Sequence, residues 1–489
     1  MIPLPIPTTT QAVLRWARQT PDRTAVMARG QAYSWAALAS HVALARQALA
    51  AAGLAPGQMV VLHCPNRYLA LVLVLAAEAL GAIHATLAST DLVPDHQAVR
   101  HAQLLAVTDP PPALAADPRL LRVDQAWLAA SFAGPADPAV LERPSPPAEG
   151  VRLGWTSGTT GTPKFMLNTR GQVSAILRQF DAVCRPVTPD HICLSFYPLT
   201  VRGMYLDVMR ALHEGNLVFM VEDGSGDFGT AGRVDRAYAL LLPREGEMLA
   251  RACAEAGRFL NLYYIDVIGS MLAPAMLGLL HRTLTPHVFS VYSSNETNSV
   301  ALVAPDGRAR VVPDCEVRIL DEAGQPVPPG QAGRVSVRGP RVIERYLWDE
   351  ALTARHFHDG WFLMSDLASM PAPGVLHVLG RADDMLNIAG IKLAPYPLEQ
   401  ELAALPGVNE ALLLRQEDAL GQGELLVLLE SADPAAATAL LPRVQAMLSP
   451  VVGPFRLLAT PALPRTATGK PRREEALRQA LAGELSQRD

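Results

Sequence analysis

The chain has 489 residues, of which 49% are hydrophobic and 18% charged, enough apolar material for a large core and too little charge for a disordered chain. A net charge of −5 gives no electrostatic case for binding nucleic acid. The five cysteines form no CxxC pair and no zinc-like cluster with histidine, so they read as reduced thiols in a reducing compartment, and a cytoplasmic protein is expected.

The N-terminus, MIPLPIPTTT, lacks the charged start and apolar run of a signal peptide. The apolar run at 59–64 predicts a strand, and a helix is expected over 68–80. The membrane-like stretch at 69–87 contains Glu78 and His84 and reads as a buried helix entering a strand, so no membrane span is expected. Strand, helix, strand in that order predicts a parallel sheet with covering helices. Surface loops are expected at 109–118 and 133–149, both rich in Pro and Ala. Val151, Leu153 and Trp155 alternate with Arg152 and Gly154 as in a strand, and a helix is expected over 172–184. The segments 311–320 and 334–338 read as strands of a β-rich region. Past residue 380, Leu398, Leu402 and Leu405 fall at helical spacing before Pro406-Gly407, 412–414 and 425–429 read as strands, and Asp433-Pro434 reads as a helix start. The fold class expected is α/β plus α+β. A large N-terminal domain (1–382) has helix-covered sheets and a β-rich subdomain, and a small C-terminal α+β domain (383–489) follows.

The densest chemistry lies in Thr156-Ser157-Gly158-Thr159-Thr160-Gly161-Thr162-Pro163-Lys164, with five hydroxyls, two glycines and a lysine in nine residues. Glycines let backbone N–H groups close on an anion, the hydroxyls donate further hydrogen bonds, and Lys164 adds charge; the set suits a polyphosphate. The spacing is not that of a Walker loop, which needs four residues between its first glycine and Gly-Lys-Ser/Thr.

This segment resembles the signature loop of the acyl- and aminoacyl-adenylate-forming superfamily, which includes acyl-CoA synthetases, nonribosomal peptide synthetase adenylation domains and luciferase. The resemblance extends along nearly the whole chain. Tyr292-Ser293-Ser294-Asn295-Glu296 resembles the family's Tyr-Gly-x-Thr-Glu. It implies that Tyr292 packs on adenine, Asn295 meets phosphate and Glu296 holds Mg²⁺; Ser293 and Asn295 replace the usual glycine and threonine, which puts the local pocket shape in question. Asp366, closing the segment 359–366, matches the aspartate that accepts the ribose hydroxyls, with Ser365 where glycine is usual. In the segment around Gly380-Arg381, Arg381 matches a ribose or phosphate contact, Asp383 the hinge between the domains, and Gly390 the channel for the thiol. Lys470, in Pro464-Arg465-Thr466-Ala467-Thr468-Gly469-Lys470, matches the catalytic lysine, and Thr160 joins it and Glu296 among the catalytic residues.

The activity implied has two steps. A carboxylate attacks Mg-ATP to form an acyl-adenylate and pyrophosphate, and a thiol then displaces AMP. The thiol is coenzyme A or the phosphopantetheine of a carrier protein, with coenzyme A slightly preferred. The other readings are a freestanding adenylation enzyme loading a carrier protein, a non-catalytic acyl or nucleotide sensor, and a luciferase-like oxygenase. The acyl pocket implied by family position is Arg202, Met204, Tyr205, Ser270, Met271 and Ser294. Arg202 stands where amino-acid-activating relatives place an aspartate for the substrate ammonium, which disfavours an ordinary α-amino acid and favours an acid with a second anionic or strongly polar group.

Overall fold

The computed structural model describes residues 7–142, 150–156, 163–221, 234–269, 272, 274–304, 308–388, 391–417, 423–448, 455–465 and 471–483. Two sheets dominate them. A seven-stranded sheet runs in the order Tyr346–Leu347, Lys164–Thr169, Gly150–Thr156, Ile83–Thr86, Met59–His63, Leu104–Val107 and Leu120–Arg122. A fourteen-stranded sheet has a parallel half from Thr24–Ala28 to Tyr264–Val267 and an antiparallel half beyond. The strand Val288–Ser294 joins the halves: Val288 to Ser290 pair in parallel with Ile265 to Val267, and Val291 to Ser294 pair antiparallel with Asn298 to Leu302.

Inner strands of the seven-stranded sheet, such as Met59–His63, and of the parallel half of the larger one, such as Ile192–Ser195, are buried along both faces, whereas strands such as Arg308–Val311 and Glu316–Leu320 in the antiparallel half alternate with solvent. Val60 and Leu62 face the core between the sheets, where they meet Leu71, Val74 and Met204, while Val61 faces the opposite side with Ala85 and Val99. Along Ile192–Ser195, Cys193 likewise faces inward and Leu194 outward, onto Ala250 and Leu280. The 69–87 stretch is the expected helix and strand, Arg67–Leu80 and Ile83–Thr86. Asn66 caps the helix by accepting from the Leu69 N–H at 3.0 Å, and Gly81 ends it at φ 79°. Among the described residues no helix is long and apolar enough to cross a membrane. None of the five cysteines is in a disulfide.

Two expectations change. The segment 311–320 is two strands, Arg308–Val311 and Glu316–Leu320. Pro313 between them lacks the N–H a ladder needs, and Asp314 sits at φ 58°. The C-terminal region also holds more strand than expected. Glu410–Glu417 pairs antiparallel with Gly423–Glu430, to which Phe455–Thr460 adds in parallel. From Leu386 onward the chain builds its own core, with Leu402, Leu413, Val427 and Val444 fully buried. At the junction, Gly380 takes φ 109°, and a Cβ there would stand 2.9 Å from Tyr396 Cβ, so only glycine fits.

Candidate active site

Thr156 and Lys164, the two ends of the glycine- and hydroxyl-rich segment, are cross-strand partners on the antiparallel strands Gly150–Thr156 and Lys164–Thr169. Ser157, Gly158, Thr159, Thr160 and Gly161 lie outside the described residues, as do Ser270, Met271, Gly390 and Lys470. Lys164 Nζ stands 5.6 Å from the centroid of the Tyr346 ring. The Tyr346 hydroxyl in turn donates to Glu296 Oε1 at 2.8 Å. Burial, then the Glu296 carboxylate, push the Tyr346 phenol up, so it stays a protonated donor.

Glu296 is presented by the turn between Val288–Ser294 and Asn298–Val303. Ser294 Oγ accepts from the backbone N–H groups of Glu296 and Thr297, both at 3.2 Å, and pairs with the Thr297 hydroxyl at 3.0 Å. The Ser294 hydroxyl therefore shapes this turn. The Glu296 carbonyl accepts from the Ile343 N–H at 2.9 Å, and Gln172 Nε2 donates to the Val342 carbonyl at 2.9 Å. The first bond ties the turn to the segment carrying Tyr346, and the second ties that segment to the helix Arg170–Val183. Asn295 is exposed beside Glu296.

Tyr292, on the strand leading into that turn, donates its hydroxyl to Asp366 Oδ2 at 2.9 Å. Burial and then Asp366 push this phenol up as well. Asp366 and Arg381 are cross-strand partners on Trp361–Ala372 and Val375–Arg381. Arg381 Nη2 donates to Asp383 at 2.9 Å, while its buried Nε has no partner. Burial pulls the Arg381 guanidinium down, but Asp383 and Asp366 push it up, and the net shift is upward. Lys164, Tyr346 and Glu296 thus form one contact group and Tyr292, Asp366 and Arg381 another, and the strand Val288–Ser294 with the turn after it carries Tyr292 and Glu296, one from each group.

Arg202 opens the helix Arg202–Glu214. Gly203 follows it because a Cβ there would meet Ile268 at 2.8 Å. Met204 and Tyr205 are buried in the core between the sheets. The Tyr205 hydroxyl donates to Glu78 Oε1 at 2.7 Å. Arg202 Nε donates to Asn168 Oδ1 at 3.4 Å. Tyr346, Arg152 and Asn168 were not singled out by the sequence reading. Tyr346 belongs to no motif used there, and Arg152 looked like an ordinary polar position in an alternating strand.

The set can grip a nucleotide: hydroxyl and lysine donors suit phosphates, and the Asp366 carboxylate suits a vicinal diol. Among the described residues no three His, Cys, Asp or Glu side chains gather as a metal cage. Glu296 nevertheless fits Mg²⁺, which is commonly held by one or two carboxylates together with substrate phosphates.

A family model described as "AMP-binding enzyme" matches residues 13–347. The indoleacetate–CoA ligase of Aromatoleum aromaticum is 28% identical over 96% of this chain and 97% of its own. The salicyl-AMP ligase/salicyl-S-ArCP synthetase of Mycobacterium tuberculosis is 28% identical over 95% of this chain and 89% of its own. In fold the chain is similar to ATP-bound MatB from Rhodopseudomonas palustris, at TM-score 0.78 and 20% identity, covering 96% of this chain and 98% of that one.

Proposed function

The chain belongs to the AMP-binding enzyme family, and we propose that it carries out ATP-dependent acid–thiol ligation in two half-reactions on the residues described above. In the first, the oxygen of a substrate carboxylate attacks the α-phosphate of ATP, forming the acyl-adenylate and releasing pyrophosphate. In the second, a thiol attacks the acyl carbon, forming a thioester and releasing AMP and the thiol proton. Carboxylate and polyphosphate repel one another, and charge builds on the phosphate oxygens, so the protein's task is to place cations and donors. The substrate is its own nucleophile.

Asp366 accepts the ribose hydroxyls, with Tyr292 holding that carboxylate and lining the base, and Arg381 adds a cation beside it. The loop Thr156–Gly161 and Lys164 hold the phosphates, and Asn295 donates to them. Glu296, oriented by Tyr346, holds Mg²⁺, which when bound neutralises phosphate charge. Thr160 and Lys470 contact the reacting phosphates. The small C-terminal domain from Asp383 turns on that residue between half-reactions, and Gly390 lines the path of the thiol. Coenzyme A is the acceptor we propose. Carrier-protein phosphopantetheine is the second candidate, favoured by the carrier-loading name of the mycobacterial relative.

The observation that supports this reading is that one strand and its following turn carry both Tyr292, bonded to Asp366 beside Arg381, and Glu296, bonded to Tyr346 beside Lys164. ATP–pyrophosphate exchange across aromatic, fatty, dicarboxylic, hydroxy and amino acids tests it. Exchange with one class is expected. ATP binding without exchange for any class would refute it.

A further inference from the structure

The seven-stranded sheet carries a buried polar row that the nucleotide does not explain. His84, Arg152 and Asn168 are neighbours across three adjacent strands: His84 pairs with Arg152, and Arg152 with Asn168. All three are almost wholly buried, at 0%, 2% and 3% exposure. Arg152 Nη2 donates to the carbonyls of Leu199 at 3.3 Å and Thr200 at 3.1 Å, just before the helix that Arg202 opens. Its guanidinium lies 4.9 Å from the centroid of the Tyr205 ring.

Four further donors of this cluster have no partner. Arg152 Nε and Nη1, Arg202 Nη2 and Asn168 Nδ2 are buried without a hydrogen bond. Arg202 lies close enough to Arg152 to feel its charge, and close enough to Glu296 to feel that one too. Burial holds both guanidiniums down to about 10, still charged at neutral pH. No side chain caps the first turn of Arg202–Glu214, so the partial positive charge at that helix start is not offset by a side-chain acceptor. Gly154, two residues along the strand, keeps the approach open; a Cβ there would stand 3.3 Å from Arg152 Nη1. A buried guanidinium and a half-buried one, both with idle buried donors, are costly to a fold unless an anion completes them.

We infer that Arg152 and Arg202, with Asn168, bind a second carboxylate of the substrate, so that the acid activated is a dicarboxylic acid. This rests on the acid-activating reading above. A carboxylate matches the guanidinium fork with two oxygens, and a neutral group of the same shape would leave the buried donors unsatisfied.

Calorimetric titration of the full chain with AMP-PNP and Mg²⁺ tests this, using each dicarboxylate from malonate to adipate, and terephthalate, against its own half-amide. At least one dicarboxylate is expected to bind about 10- to 100-fold more tightly than its half-amide. Arg202→Gln is expected to bring that ratio close to one, and Arg202→Lys to restore part of it, with AMP-PNP binding reporting that each variant is folded. Equal binding of acid and half-amide, or no binding of any dicarboxylate, would overturn the inference. So would an Arg202→Gln variant that loses AMP-PNP affinity and keeps the ratio, since the arginines would then serve phosphate. A dicarboxylate that binds selectively yet supports no pyrophosphate exchange would instead sink adenylation and leave this anion site standing.

Discussion

Two arginines on one helix, half-buried Arg202 at its start and buried Arg210 two turns on, are held in the protein for different reasons. Arg210 Nη1 donates to the Tyr264 hydroxyl at 2.6 Å and its Nη2 to the Arg185 carbonyl at 3.1 Å. It also lies between the rings of Phe180 and Tyr238, at 4.9 and 5.8 Å. Burial pulls its guanidinium down, the neighbouring Tyr264, Tyr238 and Asp207 push it up, and the net direction is up. Arg202 shifts the other way, with Nη2 orphaned, as are Nε and Nη1 of its neighbour Arg152. A buried charge that is completed by its own protein belongs to the fold, and one left incomplete belongs to a ligand.

The contrast sharpens most at the reacting end of the site. Lys470→Ala is expected to slow ATP–pyrophosphate exchange by about 10²- to 10³-fold, the scale for losing a donor aimed at developing charge. Thiolysis of supplied acyl-adenylate should be largely kept. Equal loss of both half-reactions would remove Lys470 from the first step.

The fold-forming cluster should answer to pH instead. Burial, then Asp207, raise the Asp266 carboxyl from 3.8 to about 7, and burial raises Asp207 to about 6. A carboxyl raised on folding binds more protons in the folded state. Its contribution is therefore complete below the unfolded value and is lost as pH climbs through the folded one. Asp266→Asn should then be about 1–3 kcal/mol more stable than the parent at pH 8, with the gap closing near pH 4. A gap that widens towards acid in thermal melts would break the assignment. The smallest effect expected is at Tyr346→Phe, which removes the hydrogen bond to Glu296 but keeps the ring under Lys164. A loss of about 3- to 10-fold in kcat is expected. An unchanged kcat would mean that Glu296 needs no positioning.

Much of this was legible in the residues. The helix at 67–80 and its strand followed from length and from Glu78 and His84 placed where a membrane span would reject them. The Thr156–Lys164 segment, Glu296, Asp366 and Arg381 stand out as short motifs of specific chemistry, but the strand Lys164–Thr169 that pairs with Gly150–Thr156 does not. Arg152 was not, because a polar residue alternating with Val151 and Leu153 resembles a solvent-facing position. Only the covering helices make it buried, and cover is a property of the whole fold. Tyr346 escaped because its role comes from meeting Glu296 across fifty residues. The strand break at Pro313 was visible in principle, but its neighbours on both sides favour strand. The Phe455–Thr460 strand depends on its pairing with Gly423–Glu430 more than on local pattern.

The most direct test of the contrast is parallel urea unfolding of Arg202→Met and Arg210→Met. Arg210→Met should lose about 3–5 kcal/mol, because it strips the cation from a buried network. Arg202→Met should stay within about 1 kcal/mol of the parent or gain stability, because it removes a charge the empty fold does not complete. Equal losses in the two variants would contradict the division of this helix between fold and ligand.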